Sequence, residues 1–251
     1  MKKEFETYLN KATGGNEVYT FQNLKAIYEE WNEQPVSEAT FRVTLHRLKK
    51  KGILSPVRRG WYKVNSKRRF ELSAGKTEKK MYEEINSQLP LLDVAMWNSS
   101  IFDRFASFQS VNMFIYVEVE SGSEESVFNI LQELYPDNLF LKPDEEIYSN
   151  YITKTDNPII IKTLISESPL ETGDEIPHPS VEKIIVDLYA DELNFRPWIG
   201  ERERIVTELF GATIVNLSTL LRYASRRNRK EFIKSFILDR KLVKPELLEG
   251  L

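Results

Sequence analysis

Arg42, His46, Arg47 and Lys50 recur at helical intervals, and Arg58, Arg59 and Lys63 follow close behind, with Thr40 just ahead. A guanidinium can hold guanine in a bidentate grip, hydroxyl and imidazole groups can reach base edges, and ammonium groups neutralise phosphates. This chemistry is recognition of a duplex rather than bond making. A second set of residues suggests catalysis: Glu118 and Glu120 stand two apart, with Glu83 and Asp93 before them, and such carboxylates could hold a divalent metal for phosphodiester cleavage. Serine-histidine chemistry has only His46 and His178 to draw on, and no G-x-S-x-G elbow is present. With no cysteine, thiol nucleophiles, disulfides and cysteine-based metal sites are excluded. Ser73-Ala74-Gly75-Lys76-Thr77 imitates the end of a phosphate-binding loop, but Phe70 occupies the place of the first glycine. No catalytic residue, cofactor or metal site is therefore expected.

These residues sit in a chain divided by charge. Residues 1–80 carry 18 Lys and Arg against 9 Asp and Glu, residues 83–192 carry 5 against 22, and residues 193–251 carry 12 against 7. Within the first block, Arg42–Lys80 holds 14 basic and 2 acidic residues, so the modest net charge of −3 conceals a basic module joined to an acidic body. A nucleic-acid partner suits the first part. At 251 residues and 41% hydrophobic content, the chain should form at least two folded parts. No charge-free run reaches the length of a membrane span, and the amino terminus MKKEFETYL lacks the apolar stretch of a signal peptide, so a cytoplasmic protein without membrane contact is expected.

The elements that must position the basic residues read clearly. Phe5 and Leu9 suggest a short first helix, closed by Thr13-Gly14-Gly15. Thr20 caps a second helix whose stripe is Phe21, Leu24, Ile27, Tyr28 and Trp31. Ser37 caps a third, with Glu38 in the first turn and Phe41, Leu45 and Leu48 as its buried face. At roughly 100° per residue, Arg42, Val43, His46, Arg47 and Lys50 fall on the opposite side. Two short strands follow, Ile53–Val57 and Trp61–Val64, joined through Arg58-Arg59-Gly60; one of Trp61 and Tyr62 should pack on the third helix. The order predicts a winged helix-turn-helix domain over residues 1–70. Lys49 and Lys51 would add phosphate contacts, and Lys67-Arg68-Arg69 could extend them or serve as linker.

Residues 77–251 read as a second body, so the fold class is α+β: an N-terminal winged helix-turn-helix, then a mixed α/β domain with a helical C-terminal part. A helix from Thr77 to Ile85 precedes strands at Leu91–Trp97, Met113–Glu120, Asn138–Leu141 and Pro158–Ile165, with a helix from Ser123 to Leu134 between the second and third strands. Glu171–Pro179, containing His178, reads as loop. Ser180 caps a helix over Val181–Glu192, and three further helices are expected near 200–210, 216–226 and 229–239.

The run Leu48-Lys49-Lys50-Lys51-Gly52-Ile53-Leu54, then Val57-Arg58-Arg59-Gly60-Trp61-Tyr62-Lys63-Val64, resembles the third helix and R-G-x-Y wing of AbiEi-type antitoxins, regulators of bacterial type IV toxin-antitoxin systems. Pro179–Leu188 is similar to that family's first helix after its sheet, and Leu220-Leu221-Arg222-Tyr223-Ala224 to its L-x-x-Y-A helix. The resemblance implies a non-enzymatic regulator that binds inverted repeats in double-stranded DNA at its own promoter. It further implies that the carboxyl-terminal domain opposes a nucleotidyltransferase-like toxin without requiring direct contact. The alternative is a metal-dependent nuclease carried to DNA by the winged helix. Its carboxylate spacing loosely resembles restriction-endonuclease-like nucleases, whose pattern wants lysine where Glu120 stands. Without that chemistry, Glu118 and Glu120 read as a solvated strand end.

Overall fold

The computed structural model describes residues 5–13, 18–50, 52–64, 70, 72–108, 112–173, 176–249 and 251. The architecture is mixed α+β, and the chain forms two compact units: residues 1–70 with 210–222 and 231–251, and residues 71–209 with 223–230. Lys51 and Lys67-Arg68-Arg69 lie outside the described residues.

The first unit begins with α1 (Phe5–Ala12), β1 (Val18–Thr20), α2 (Phe21–Asn32) and α3 (Glu38–Lys50), followed by β2 (Leu54–Arg58) and β3 (Trp61–Val64). Thr20 starts α2 by a reciprocal cap: its hydroxyl accepts from the Asn23 amide, and the Asn23 side chain accepts from the Thr20 amide, both at 3.1 Å. Ser37 starts α3 by accepting from the Thr40 amide at 3.1 Å. Gly52, at φ 71°, turns the chain out of α3 while the Ile53 amide donates to the Leu48 carbonyl at 2.9 Å. The strands form an antiparallel sheet in the order β1-β3-β2, in which β1 was not anticipated. Its three residues were too few to show a period. Pro56 is tolerated because β2 is an edge strand, and the register slips between Pro56 and Arg58. Phe5, Leu9, Leu24, Phe41, Leu45, Leu48, Leu54 and Val64 make the core, with Tyr62 packed against it.

The second unit contains α4 (Lys76–Gln88), β4 (Val94–Asn98), β5 (Ile115–Val119), α5 (Glu124–Leu131), β6 (Leu139–Leu141), α6 (Glu145–Asn150) and β7 (Ile159–Thr163). The hairpin β8 (Leu170–Gly173) and β9 (Ile176–Pro179) leads into α7 (Val181–Ala190). Four strands pair in the order β4-β5-β7-β6; β4 runs antiparallel to β5, whereas β5, β7 and β6 are parallel. Every residue of β5 is buried, as are Ile159, Ile160 and Ile161 of β7, as expected of parallel strands covered on both faces. Side-chain alternation sends Ile115, Val117 and Val119 to one face with Met81, Ile85, Val127 and Leu131. Tyr116 and Glu118 take the other.

Two local expectations are corrected. Glu171–Pro179 is not a loop: Leu170–Gly173 pairs with Ile176–Pro179, and His178 is buried in β9, its prolines being accommodated because the ribbon has only two strands. The helix after Gly122 ends at Leu131 rather than Leu134, and Ser123 makes no side-chain cap. The carboxylate of Glu124 accepts from the Gly122 amide at 2.8 Å instead.

The remaining helices are α8 (Arg202–Ala212), α9 (Leu217–Arg226) and α10 (Lys230–Asp239), close to their expected places. Among the described residues no helix is long and apolar enough to cross a membrane.

Candidate nucleic-acid interface

Burial divides α3 sharply. Phe41, Thr44, Leu45 and Leu48 are buried, whereas Thr40, Arg42, Val43, His46, Arg47 and Lys50 are exposed. The amphipathic period thus leaves a largely basic and polar face, with Val43 in it, turned away from the core. Light tethers preserve its order. The Arg42 guanidinium lies 3.4 Å from Glu38 and 4.9 Å from the Phe21 ring centre, Arg47 donates to the Thr44 hydroxyl at 3.4 Å, and the Thr40 and Ser37 hydroxyls share a 2.9 Å hydrogen bond. Each tether is exposed or only partly buried, so its net strength is small and the side chains can exchange it for another partner.

The turn between β2 and β3 separates its two arginines. Gly60 holds φ 78°, which presents Arg59 to solvent. Arg58 is half-buried: its guanidinium stacks 4.7 Å over Trp61 and donates to the Glu249 carbonyl at 2.6 Å. Lys63 is also half-buried, on β3, where it lines a cavity with Val18 and Val57. Of the eight anticipated contact residues, the structure brings Thr40, Arg42, His46, Arg47 and Lys50 onto one helix face, leaves Arg59 exposed at the turn, and engages Arg58 and Lys63 inward.

The carboxylates weighed for catalysis have a different fate. Glu118 is no solvated strand end: it is 1% exposed, and Lys183 contacts it at 2.7 Å. The Trp97 indole donates to it at 2.9 Å, and Lys162, its neighbour in register on β7, stands 3.8 Å away. Lys183 also binds Asp187 at 2.6 Å, and Lys162 binds Asp191 at 2.9 Å. Asp187 accepts from the Tyr223 hydroxyl at 2.9 Å and lies 3.3 Å from Arg227. Burial opposes the charge on Glu118, yet Lys162 and Lys183 outweigh it and hold the carboxyl below its ordinary range. Burial likewise opposes the two ammoniums, and the surrounding carboxylates raise both. Three acids face three bases, a balanced interior cluster. By contrast Glu83, Asp93 and Glu120 are exposed, and among the described residues no group of three or more His, Cys, Asp or Glu side chains is placed to hold a metal ion.

A family model described as a family of unknown function, DUF6577, matches residues 40–242, which is most of the chain. This protein belongs to the DUF6577 family. No curated protein matches it. In this DUF6577 chain the matched span opens at Thr40, within α3, and runs through the buried cluster to the end of the last long helix.

The cluster was missed by sequence reasoning, although a signal existed. In Val-Glu-Lys-Ile-Ile-Val-Asp-Leu-Tyr, Lys183 and Asp187 sit four apart inside an apolar run, and a charge surrounded by helix-forming apolar residues must be paired if the helix is buried all round. Every residue from Val181 to Tyr189 is indeed buried.

Proposed function

We propose that this DUF6577 protein is a sequence-specific DNA-binding transcriptional regulator whose first unit acts as a winged helix-turn-helix. In this reading α3 enters the major groove, with Arg42, His46 and Arg47 at base edges, Lys50 at phosphate, and the β2–β3 turn contributing Arg59 to the backbone. The observation that carries the reading is the one-sided exposure of α3: Phe41, Leu45 and Leu48 are buried, while Thr40, Arg42, His46, Arg47 and Lys50 face solvent together, with Val43 among them. The finer reading, supported by the resemblance of residues 37–64 to AbiEi-type antitoxins, is an autorepressor that occupies inverted repeats at its own promoter and opposes a nucleotidyltransferase-like toxin.

The experiment is recovery of DNA fragments bound by the tagged full chain. Enrichment of an inverted repeat upstream of its own coding sequence is expected. Equal recovery of all fragments, or of none, rejects sequence-specific regulation.

A further inference from the structure

The first unit contains a cavity of about 710 Å³, within the range of small-molecule sites. Val57, Phe210, Leu217 and Leu242 contribute to a wall that is apolar over most of its extent. The charged lining is uneven: Lys63, Lys241 and Lys244 stand against Asp239, an excess of positive charge around an apolar space. An occupant that satisfies both features has an apolar body and an anionic end.

The turn that ends α10 places one of these lysines. Where α10 ends, the Lys241 amide donates to the Leu238 carbonyl at 2.9 Å and the Leu242 amide to the Ile237 carbonyl at 3.0 Å. This is the left-handed helix stop usually occupied by glycine, and Lys241 adopts it at φ 52°. Glu33 and Asn228 take the same left-handed conformation where α2 and α9 end, so helix termination accounts for the backbone of Lys241, and the turn sets that lysine on the cavity wall.

We propose that this cavity binds a small amphipathic anion, with Lys241 and Lys244 recognising its head group and the apolar wall its body. The site touches the hairpin, because Val57 lies on β2 and Lys63 on β3. It also reaches the segment that restrains Arg58, since Leu247 lines it and the Glu249 carbonyl holds that guanidinium. Occupancy is therefore placed to alter the wing, a consequence that rests on the DNA-binding reading above.

Titration of the full chain with 1-anilinonaphthalene-8-sulfonate, followed by fluorescence, measures the site directly; decanoate and decylamine serve as competitors. Saturable one-site binding is expected, with decanoate displacing the probe about tenfold more readily than decylamine. Lys241→Gly should weaken decanoate about tenfold while raising the melting temperature by about 2 °C, because glycine suits the left-handed position. Lys244→Gln, an exposed change, should weaken decanoate without moving the melting temperature. Absence of saturable binding, equal displacement by the amine, or unchanged decanoate affinity in both variants would overturn the proposal. No DNA is present in this assay, so decanoate binding by a chain that ignores every duplex would retain the site and reject the regulator instead.

Discussion

Lysine and arginine do opposite work on α3 and in the cluster around β5 and α7. On α3, Arg42, Arg47 and Lys50 are exposed; around β5 and α7, Lys162, Lys183 and Arg227 are withdrawn from water and matched to Glu118, Asp187 and Asp191. What separates the two arrangements is desolvation. An exposed cation costs the fold almost nothing and contributes a field that acts on distant phosphates, whereas a buried one is tolerable only while its counter-charge remains in place. The contrast teaches that charge content alone does not locate a binding surface: the acidic middle of the chain holds its most firmly engaged lysines.

Breaking the cluster should give the largest effect. Glu118→Gln removes one of the cluster's three negative charges and leaves Lys183 with Asp187 alone, so unfolding by denaturant should show a loss of about 3–5 kcal/mol. A loss under 1 kcal/mol would mean that water reaches the cluster.

The hairpin turn gives an intermediate test. At Gly60 an added Cβ meets no atom within 4 Å, so Gly60→Ala probes backbone strain at φ 78° without a clash. Chemical denaturation should register about 1 kcal/mol of destabilisation. A neutral result would indicate that the turn adopts another conformation.

Acid titration tests a single carboxylate. The Thr163 hydroxyl, outweighing burial, holds Glu124 at about 2, below its ordinary 4.5, with the Gly122 amide adding to the effect. A depressed carboxyl contributes stability that is present above its unfolded value and lost as pH falls through the folded one. Wild-type stability should therefore fall between about pH 4.5 and 2, and Glu124→Gln should flatten that part of the curve. Identical acid profiles would show that Glu124 carries no such coupling.

The smallest effect on folding belongs to the exposed face. Arg42→Ala, Arg47→Ala and Lys50→Ala should each change stability by no more than about 0.5 kcal/mol, measured by thermal melting. A larger loss would reveal these side chains as structural and dissolve the contrast between α3 and the cluster.

Legibility in the sequence followed the same divide. The α3 face could be read because burial there obeys a simple period, with Phe41, Leu45 and Leu48 inward and Arg42, His46 and Lys50 outward. The parallel strands were also visible, since Ile159-Ile160-Ile161 is a continuous apolar run. Glu118 was misread because strand alternation reports two faces without saying what covers the second; here α7 covers it and supplies Lys183. The inward engagement of Arg58 had no local signal at all, because its partner, the Glu249 carbonyl, is 191 residues away along the chain. The association of residues 210–222 and 231–251 with the first unit is of the same long-range kind.

The most direct measurement is a fluorescence-anisotropy titration of labelled duplex with wild-type protein and the Arg42→Ala, Arg47→Ala, Lys50→Ala triple variant over a series of salt concentrations. Wild-type affinity should fall steeply with salt, and the variant should bind more weakly, with its log-log slope reduced by about one unit for the lost Lys50 phosphate contact. Equal affinity and equal slope for the two proteins would contradict the assignment of this face to DNA.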